Sequence, residues 1–254
     1  MKIVAIVQAR FSSTRLPGKV LLPLGNSTVL AQVVSRARLA TRLYAVWVAT
    51  STHPTDDAVA AEAARIGAPC FRGNLEDVLA RYHSAALAAE ADVIVRITSD
   101  CPLFDGVLLN QMLADYIAET QAGRAIDYLS NFLQRTFPRG LDAEVFTLAA
   151  LERARTEAKD PYDREHVTPY IYKHPELFKL RSFTSTENLS VHRWTLDTPD
   201  DWRLIQGIYK AFPDPSRNFS TREVLTLLVR CPELRMVNAH IVQKTDPSTT
   251  PTLT

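Results

Sequence analysis

Between Gln8 and Lys19 the chain reads Gln-Ala-Arg-Phe-Ser-Ser-Thr-Arg-Leu-Pro-Gly-Lys, gathering Arg10, Arg15 and Lys19 with the hydroxyls of Ser12, Ser13 and Thr14 in one short loop. Such a loop suits an anion. Guanidinium groups make forked hydrogen bonds to phosphate oxygens, a lysine adds a mobile point charge, and N–H groups of a turn add neutral donors. A solvated surface loop is the plainer alternative. The segment carries neither GxGxxG nor GxxxxGK[ST], which disfavours dinucleotide-binding dehydrogenases and P-loop kinases.

Two aspartates complement this loop. Asp100 lies in Thr98-Ser99-Asp100-Cys101-Pro102, directly after an apolar run, and Asp197 lies in Trp194-Thr195-Leu196-Asp197-Thr198-Pro199. Magnesium takes oxygen ligands, commonly one or two carboxylates together with phosphate oxygens, so a carboxylate pair beside a polyphosphate loop has an evident task. A turn or N-cap role before Pro102 is the alternative for Asp100. Asp200 and Asp201, which follow Pro199, read as capping groups at the positive end of a helix.

Between the aspartates lies a dense polar set that includes Asn131, Arg135, Arg139, Asp142, Glu144, Arg164, Glu165 and His166. Asp142 and Glu144 are two apart on a strand-like run and so share a face, where they either hold hydroxyls of a second substrate or line a polar sheet edge. His166 is either a general base near neutral pH or a structural hydrogen-bonding residue, and Glu165 either faces the site or faces water. Arg72 ends a short strand, where it either approaches a nucleotide or is solvated.

The elements that must position these groups alternate. Strands are predicted at Ile3–Val7, Tyr44–Ala49, around Cys70 and at Asp92–Ile97. Helices are predicted at Val29–Leu39 with a Ser27 or Thr28 cap, near Asp56–Ile66, at Leu75–Ala89 with an Asn74 cap, and at Gly106–Ala118. This βα alternation predicts an α/β fold, a mixed but mostly parallel sheet with helices on both faces and ligands beyond the carboxyl ends of its strands. Further strands are expected at Ile126–Phe132, Asp142–Phe146, Phe178–Phe183 and Val191–Leu196, and further helices at Tyr162–Tyr172, Pro199–Ala211 and Ser220–Val229. One domain over 1–244 is expected, with an inserted acceptor-binding subregion at about 127–190 and a disordered tail over 245–254.

Composition narrows the partners. Of 254 residues, 29 are Lys or Arg and 28 are Asp or Glu, a formal charge of +1 that gives no global field for a long nucleic acid. No segment is apolar for long enough to span a bilayer, and the opening apolar run meets Arg10 too soon for a secretory signal, so the cytoplasm is the expected compartment. Cys70, Cys101 and Cys231 are scattered and odd in number, as expected of reduced thiols.

The run QARxxSTRLPGK resembles the opening motif of the CMP-sugar synthetases, and the resemblance is greatest to their relative, the spore coat polysaccharide biosynthesis protein F family. It extends from Lys2 to about Tyr209, and the PRGLDAEVF and REHVTPYIY runs resemble the spore coat family more than the enzymes for Kdo or acylneuraminate. The resemblance implies a nucleotidyltransferase fold related to GT-A. It implies CTP and a sugar or sugar acid as substrates, and a CMP-sugar and pyrophosphate as products. Arg10, Arg15 and Lys19 are implied to face the triphosphate, with Ser13 and Arg72 nearby and the backbone of Gln8 and Ala9 facing the cytosine; Arg10 could instead order the loop. Asp100 corresponds to the aspartate of an R-x-T-G-D-x-P pattern in which Ser99 replaces the usual glycine, and Asp197 to a second acidic ligand for Mg2+. Arg15, Lys19 and Asp100 form the implied catalytic set; Asn131, Arg139, Asp142, Glu144 and His166 form the acceptor side. A homodimer is expected by resemblance alone. A glycosyltransferase of the same fold using a nucleotide-sugar donor is the alternative activity, and a nucleotide-sugar binding protein without turnover is the alternative outside catalysis.

Overall fold

In the computed structural model, residues 1–214 and 218–242 are described. The expected tail over 245–254 lies outside the described residues. Nine strands and ten α-helices follow one another along the described chain: β1 (Ile3–Gln8), the two-residue strands β2 (Pro23–Leu24) and β3 (Ser27–Thr28), α1 (Val29–Ala37), β4 (Ala45–Ser51), α2 (Asp57–Arg65), β5 (Cys70–Gly73), α3 (Val78–Ala88), β6 (Val93–Thr98), α4 (Gly106–Gln121), β7 (Tyr128–Ser130), β8 (Glu144–Thr147), α5 (Leu148–Glu157), α6 (Pro161–His166), α7 (Pro169–Lys173), β9 (Leu180–Ser182), α8 (Pro199–Ala211), α9 (Thr221–Arg230) and α10 (Pro232–Met236).

Seven strands form one sheet in the order β5-β4-β1-β6-β8-β7-β9. β1 pairs in parallel with β4 and β6, β4 with β5, and β7 with β9; only β8 runs against its neighbours β6 and β7. Alternation along β1 feeds two layers. Ile3, Ala5 and Val7 pack with Leu30, Val34, Val59, Leu109 and Met112 on one face, while Val4 and Ile6 pack with Leu79, Tyr82, Phe146 and Leu151 on the other. A third cluster around Trp194, Leu196, Leu204 and Ile208 fastens the C-terminal helices beside the sheet. Helices therefore cover both faces, as the βα alternation requires.

Local chemistry explains most boundaries and several differences. Thr28 caps α1 by accepting from the Ala31 amide at 3.1 Å. The helix expected from Leu75 starts instead at Val78, because Asp77 is its cap, accepting from Ala80 N at 2.9 Å; Asn74 accepts from the Glu76 and Asp77 amides in the turn before it. The helix expected over Tyr162–Tyr172 is broken into α6 and α7 at Val167, whose φ of 74° precedes Thr168 and Pro169. Val191–Leu196 is no strand. Its one ladder contact is the isolated bridge of Arg139 to Arg193; Trp194 and Leu196 pack into the third cluster, and main-chain bonds such as Leu196 N to Asp100 O hold the segment instead. Helix α5, absent from the expectations, follows β8 without a break and is capped by Thr147 accepting from Ala150 N at 3.0 Å.

Candidate active site

The basic loop leaves the sheet at Gln8 and ends at Gly18, whose positive φ of 67° opens the short 3-10 turn Lys19–Leu21. Gly18 N donates to Phe11 O at 3.1 Å, which closes the loop on itself. The buried Asp56 accepts from Phe11 N at 2.6 Å with one oxygen, while its other oxygen accepts from Ser51 N at 3.2 Å and from the Ser51 hydroxyl. Asp56 thus moors the loop to the end of β4.

Lys19 crosses to the far side of this edge. Its ammonium donates to Asp100 Oδ2 at 3.0 Å, Asp197 Oδ1 at 2.8 Å and the Leu196 carbonyl at 2.7 Å, so each of its three hydrogens has an oxygen. Burial alone would lower the Lys19 pKa, but the two carboxylates outweigh it and hold the value above that of an ordinary lysine. For Asp100, burial acts to raise the pKa, yet Lys19 and the Thr98 hydroxyl bring it below the usual carboxylate range. Arg15 reaches the other oxygen of Asp197 at 3.3 Å and remains half-exposed. The main chain fixes the pair of aspartates: Leu196 N donates to Asp100 O at 2.7 Å.

Beneath Asp197 lies a support absent from the sequence expectations. Arg193 Nη2 is 3.2 Å from Asp197 Oδ2, and its Nε and Nη2 donate to Asp201 at 2.9 and 3.0 Å. Asp201, fully buried, also accepts from Asp197 N and Thr198 N, each at 3.0 Å, and from Asn238 Nδ2 at 2.8 Å. With Thr198 it forms the expected cap of α8. Asp200 pairs with Arg203 and His240 instead. Gly140 permits a close crossing here: a Cβ on it would lie 2.5 Å from the carbonyl carbon of the buried Trp194. Cys101 Sγ is 3.6 Å from Asp100 Oδ1, and burial followed by the Asp100 charge pushes this thiol well above its ordinary pKa, so it is held neutral.

The remaining groups divide by depth. Arg10 is exposed and 3.8 Å from Glu165 of α6. Arg72 turns back to the sheet end, donating to the carbonyls of Ser51 at 2.9 Å and His53 at 3.3 Å and to Asp57 at 2.6 Å. Asn131 is buried and clasps the segment before β8, donating to Leu141 O at 2.7 Å and accepting from Ala143 N at 2.9 Å. Asp142 pairs with Arg135 at 2.6 Å. Arg139 is half-buried, with its pKa lowered by burial and then by the neighbouring Arg135 charge. Glu144 is buried and receives bonds from Arg96, the Tyr128 hydroxyl at 2.7 Å and the Thr168 hydroxyl. Asp142 and Glu144, expected on one face, therefore differ in depth. His166 is exposed, its ring 4.2 Å from that of Tyr162.

Asp100, which follows β6, and the Leu196 carbonyl with Asp197, which precede α8, converge on one cation position with only oxygen donors around it, beside Arg15 and Arg193. The sequence matches the cytidylyltransferase family over residues 4–211, a span that contains every one of these groups. The chain belongs to the cytidylyltransferase family. It is similar to the spore coat polysaccharide biosynthesis protein SpsF of Bacillus subtilis, 36% identical over 239 residues that cover 91% of this chain and 95% of the relative. The solved structure of a cytidylyltransferase from Leptospira borgpetersenii serovar Hardjo-bovis matches with a TM-score of 0.87 at 33% identity, covering 96% of this chain and 100% of that one. A CMP:2-keto-3-deoxy-manno-octonic acid synthetase complexed with CTP shares the fold, with a TM-score of 0.64 at 18% identity over 84% of this chain and 100% of that one.

In this cytidylyltransferase the donor set suits a hard divalent ion. Asp100, Asp197 and the Leu196 carbonyl already surround one positive charge, and every donor is oxygen. Among the described residues no group of three or more His, Cys, Asp and Glu side chains could hold a metal, so phosphate oxygens or water must complete any shell. Among the described residues no helix is long and apolar enough to cross a membrane.

Proposed function

We propose that this cytidylyltransferase joins the CMP part of CTP to a sugar or sugar acid and releases pyrophosphate, with Mg2+ held by Asp100 and Asp197, for the synthesis of a surface polysaccharide or glycoconjugate. The observation that carries this reading is the shared cation position: Lys19 bonded at once to Asp100 and Asp197, with Arg15 against the same Asp197. The name of the Bacillus subtilis relative and the CTP complex of the synthetase with the same fold support it. Its setting is the cytoplasm, where CTP is made available, and its working form is a homodimer of one nucleotidyltransferase domain per chain.

The oxygen of the acceptor forms a bond to the α-phosphorus in line as the bond from that phosphorus to the bridging oxygen breaks, and pyrophosphate leaves. The chemistry the magnesium ion supplies when bound is neutralisation of phosphate charge at the reacting centre. Arg15 and Lys19 bind the β- and γ-phosphates and stabilise charge on the departing pyrophosphate, while Arg10, Ser13 and Arg72 lie along the nucleotide path. The backbone of Gln8 and Ala9 meets the base. Arg139, Asp142 and His166 face the acceptor, and Asn131 and Glu144 support that side from below. Positioning and charge neutralisation account for the rate, so no covalent protein intermediate is required.

The test is pyrophosphate release with Mg2+, each nucleoside triphosphate in turn and a panel of sugar acids and sugar phosphates. CTP-dependent release, lost in Asp100→Asn, is the expected result. Consumption of a nucleotide sugar without turnover of any triphosphate would replace this reading with a glycosyltransferase.

A further inference from the structure

A buried chain of side chains crosses three neighbouring strands just below the nucleotide edge. Glu144 on β8 sits opposite Arg96 on β6, and Arg96 in turn lies in the register beside Ile6, two residues before Gln8 on β1. Arg96 donates through Nη1 to Glu144 Oε1 and through Nη2 to Gln8 Oε1 at 3.4 Å. The other oxygen of Glu144 is filled by the Tyr128 and Thr168 hydroxyls, so the carboxylate can neither turn nor leave Arg96. Below, the Arg96 guanidinium lies 6.0 Å from the centre of the Tyr82 ring.

Arginine donates hydrogen bonds and accepts none. The side-chain oxygen of Gln8 must therefore be the atom facing Arg96, which removes the two-fold ambiguity of the amide and leaves its two Nε2 hydrogens without a protein acceptor among the described residues. Gln8 is the last residue of β1 and immediately precedes the basic loop. It thus presents a donor-only tip at the nucleotide edge of the sheet. Among pyrimidines this tip is selective. Cytosine offers a lone pair at N3, whereas uracil carries a hydrogen there, so a fixed amide N–H meets an acceptor in one base and a second donor in the other.

We infer that the Gln8 side chain selects CTP over UTP by donating to the cytosine ring edge, with Arg96 and Glu144 as positioning residues that lock its orientation. The inference rests on the proposed use of CTP and adds to it the side chains that decide the base. Discrimination of this kind is strong because the wrong base leaves donors unmatched inside the site.

Equilibrium binding of CTP and of UTP to the full chain with Mg2+, measured by calorimetry without any acceptor, tests it. The wild-type chain should prefer CTP by about 10- to 100-fold, the range expected for one polar mismatch. Gln8→Leu should lose most of that preference. Arg96→Lys keeps a positive charge against Glu144 but has no second nitrogen to reach Gln8, so it should reduce the ratio while UTP affinity stays near wild type; Glu144→Gln should move the ratio the same way if Arg96→Lys folds poorly. A melting curve for each variant separates lost preference from lost structure. Retention of the full CTP preference in folded Gln8→Leu and in a folded relay variant would overturn the inference and leave CTP as substrate. A wild-type chain that binds neither nucleotide would overturn the inference together with the proposed function.

Discussion

The ammonium of Lys19 lies 2.8 Å from Asp197, on the carboxylate whose other oxygen faces Arg15 at 3.3 Å. One carboxylate is thus shared between two basic groups from the second half of the same loop, with Arg193 against it as well. A divalent ion approaching Asp100 and Asp197 must compete with the lysine.

Lys19→Met is expected to separate binding from turnover. Removal of the competing ammonium should tighten Mn2+ binding to the nucleotide-free chain, read by electron paramagnetic resonance of the free ion. The same variant should lose turnover by about 100- to 1,000-fold, the usual cost of one charge-stabilising donor. Unchanged or weaker Mn2+ binding would show that lysine and metal do not share the position.

Asp201→Asn should lower stability without removing a ligand. Burial acts to raise the Asp201 pKa, but Arg193 and Asn238 bring it below the ordinary aspartate value, so the folded state favours the charged form. The stabilisation is present above the unfolded value of about 3.9 and is lost as pH falls through the lower folded value. Urea unfolding at pH 7 should show a loss of about 3 kcal/mol, the scale for breaking a buried ion pair, and a smaller loss near pH 3. An equal loss at both pH values would contradict the ionic account.

Asp56→Asn tests the mooring of the basic loop. An amide has one acceptor oxygen where the carboxylate uses two, so either Phe11 N or Ser51 N loses its partner. CTP affinity should fall by about tenfold although Asp56 lies outside the proposed nucleotide contacts, as loop misplacement does elsewhere. Calorimetric CTP affinity equal to wild type would remove Asp56 from the site's support.

Gly140→Ala should be among the most damaging small substitutions. The new methyl would meet the Trp194 main chain at 2.5 Å, and φ is +100°. A loss of about 2 kcal/mol or more in urea unfolding is expected from strain and overpacking together. A stability within error of the wild type would show that the Arg139–Trp194 crossing yields easily.

Cys101 should resist thiol reagents in the folded chain, because it is buried and held neutral. Slow labelling in buffer with fast labelling in urea is the expected pattern. Rapid native labelling would show an open path beside Asp100.

The first half of the fold was readable because its strands and helices carry regular apolar periods: β1, β4, β6, α1, α2 and α4 lie within a few residues of expectation. The second half was harder. Val167 adopts a positive φ that no glycine announces, and Val191–Leu196 is held by contacts of Trp194 and Arg193 rather than by a ladder. The carboxylate pair was visible as residues following apolar runs, but its convergence on Lys19 comes from the main-chain bond of Leu196 N to Asp100 O, since the run before Asp197 is not a strand of the sheet. Arg193 and Asp56 were not visible as supports. Asp56 acts through main-chain amides, one of them distant, and Arg193 binds Asp197 and Asp201 across an irregular segment with no period to mark its side-chain direction; the polar turn Ser51-Thr52-His53-Pro54-Thr55-Asp56 is the one local sign of a capped, moored bend. Glu144 shared its face with Asp142 in the alternation, but only the packing of β8 between β6 and β7 shows that it lies under the surface.

The single reversed strand has a consequence for how such a chain can diversify. β1 and β6 reach one edge with their carboxyl ends, so the basic loop and the segment carrying Asp100 leave the sheet there. β8 arrives at that edge with its amino end, and Arg139 to Ala143 enter the sheet from it. Insertions or exchanges ahead of Glu144 can therefore remodel the wall proposed to face the acceptor while the pairing of β1 with β6, and the loops proposed to hold the nucleotide, stay in register. On the proposed function, the fold lets the acceptor side change without disturbing the nucleotide side.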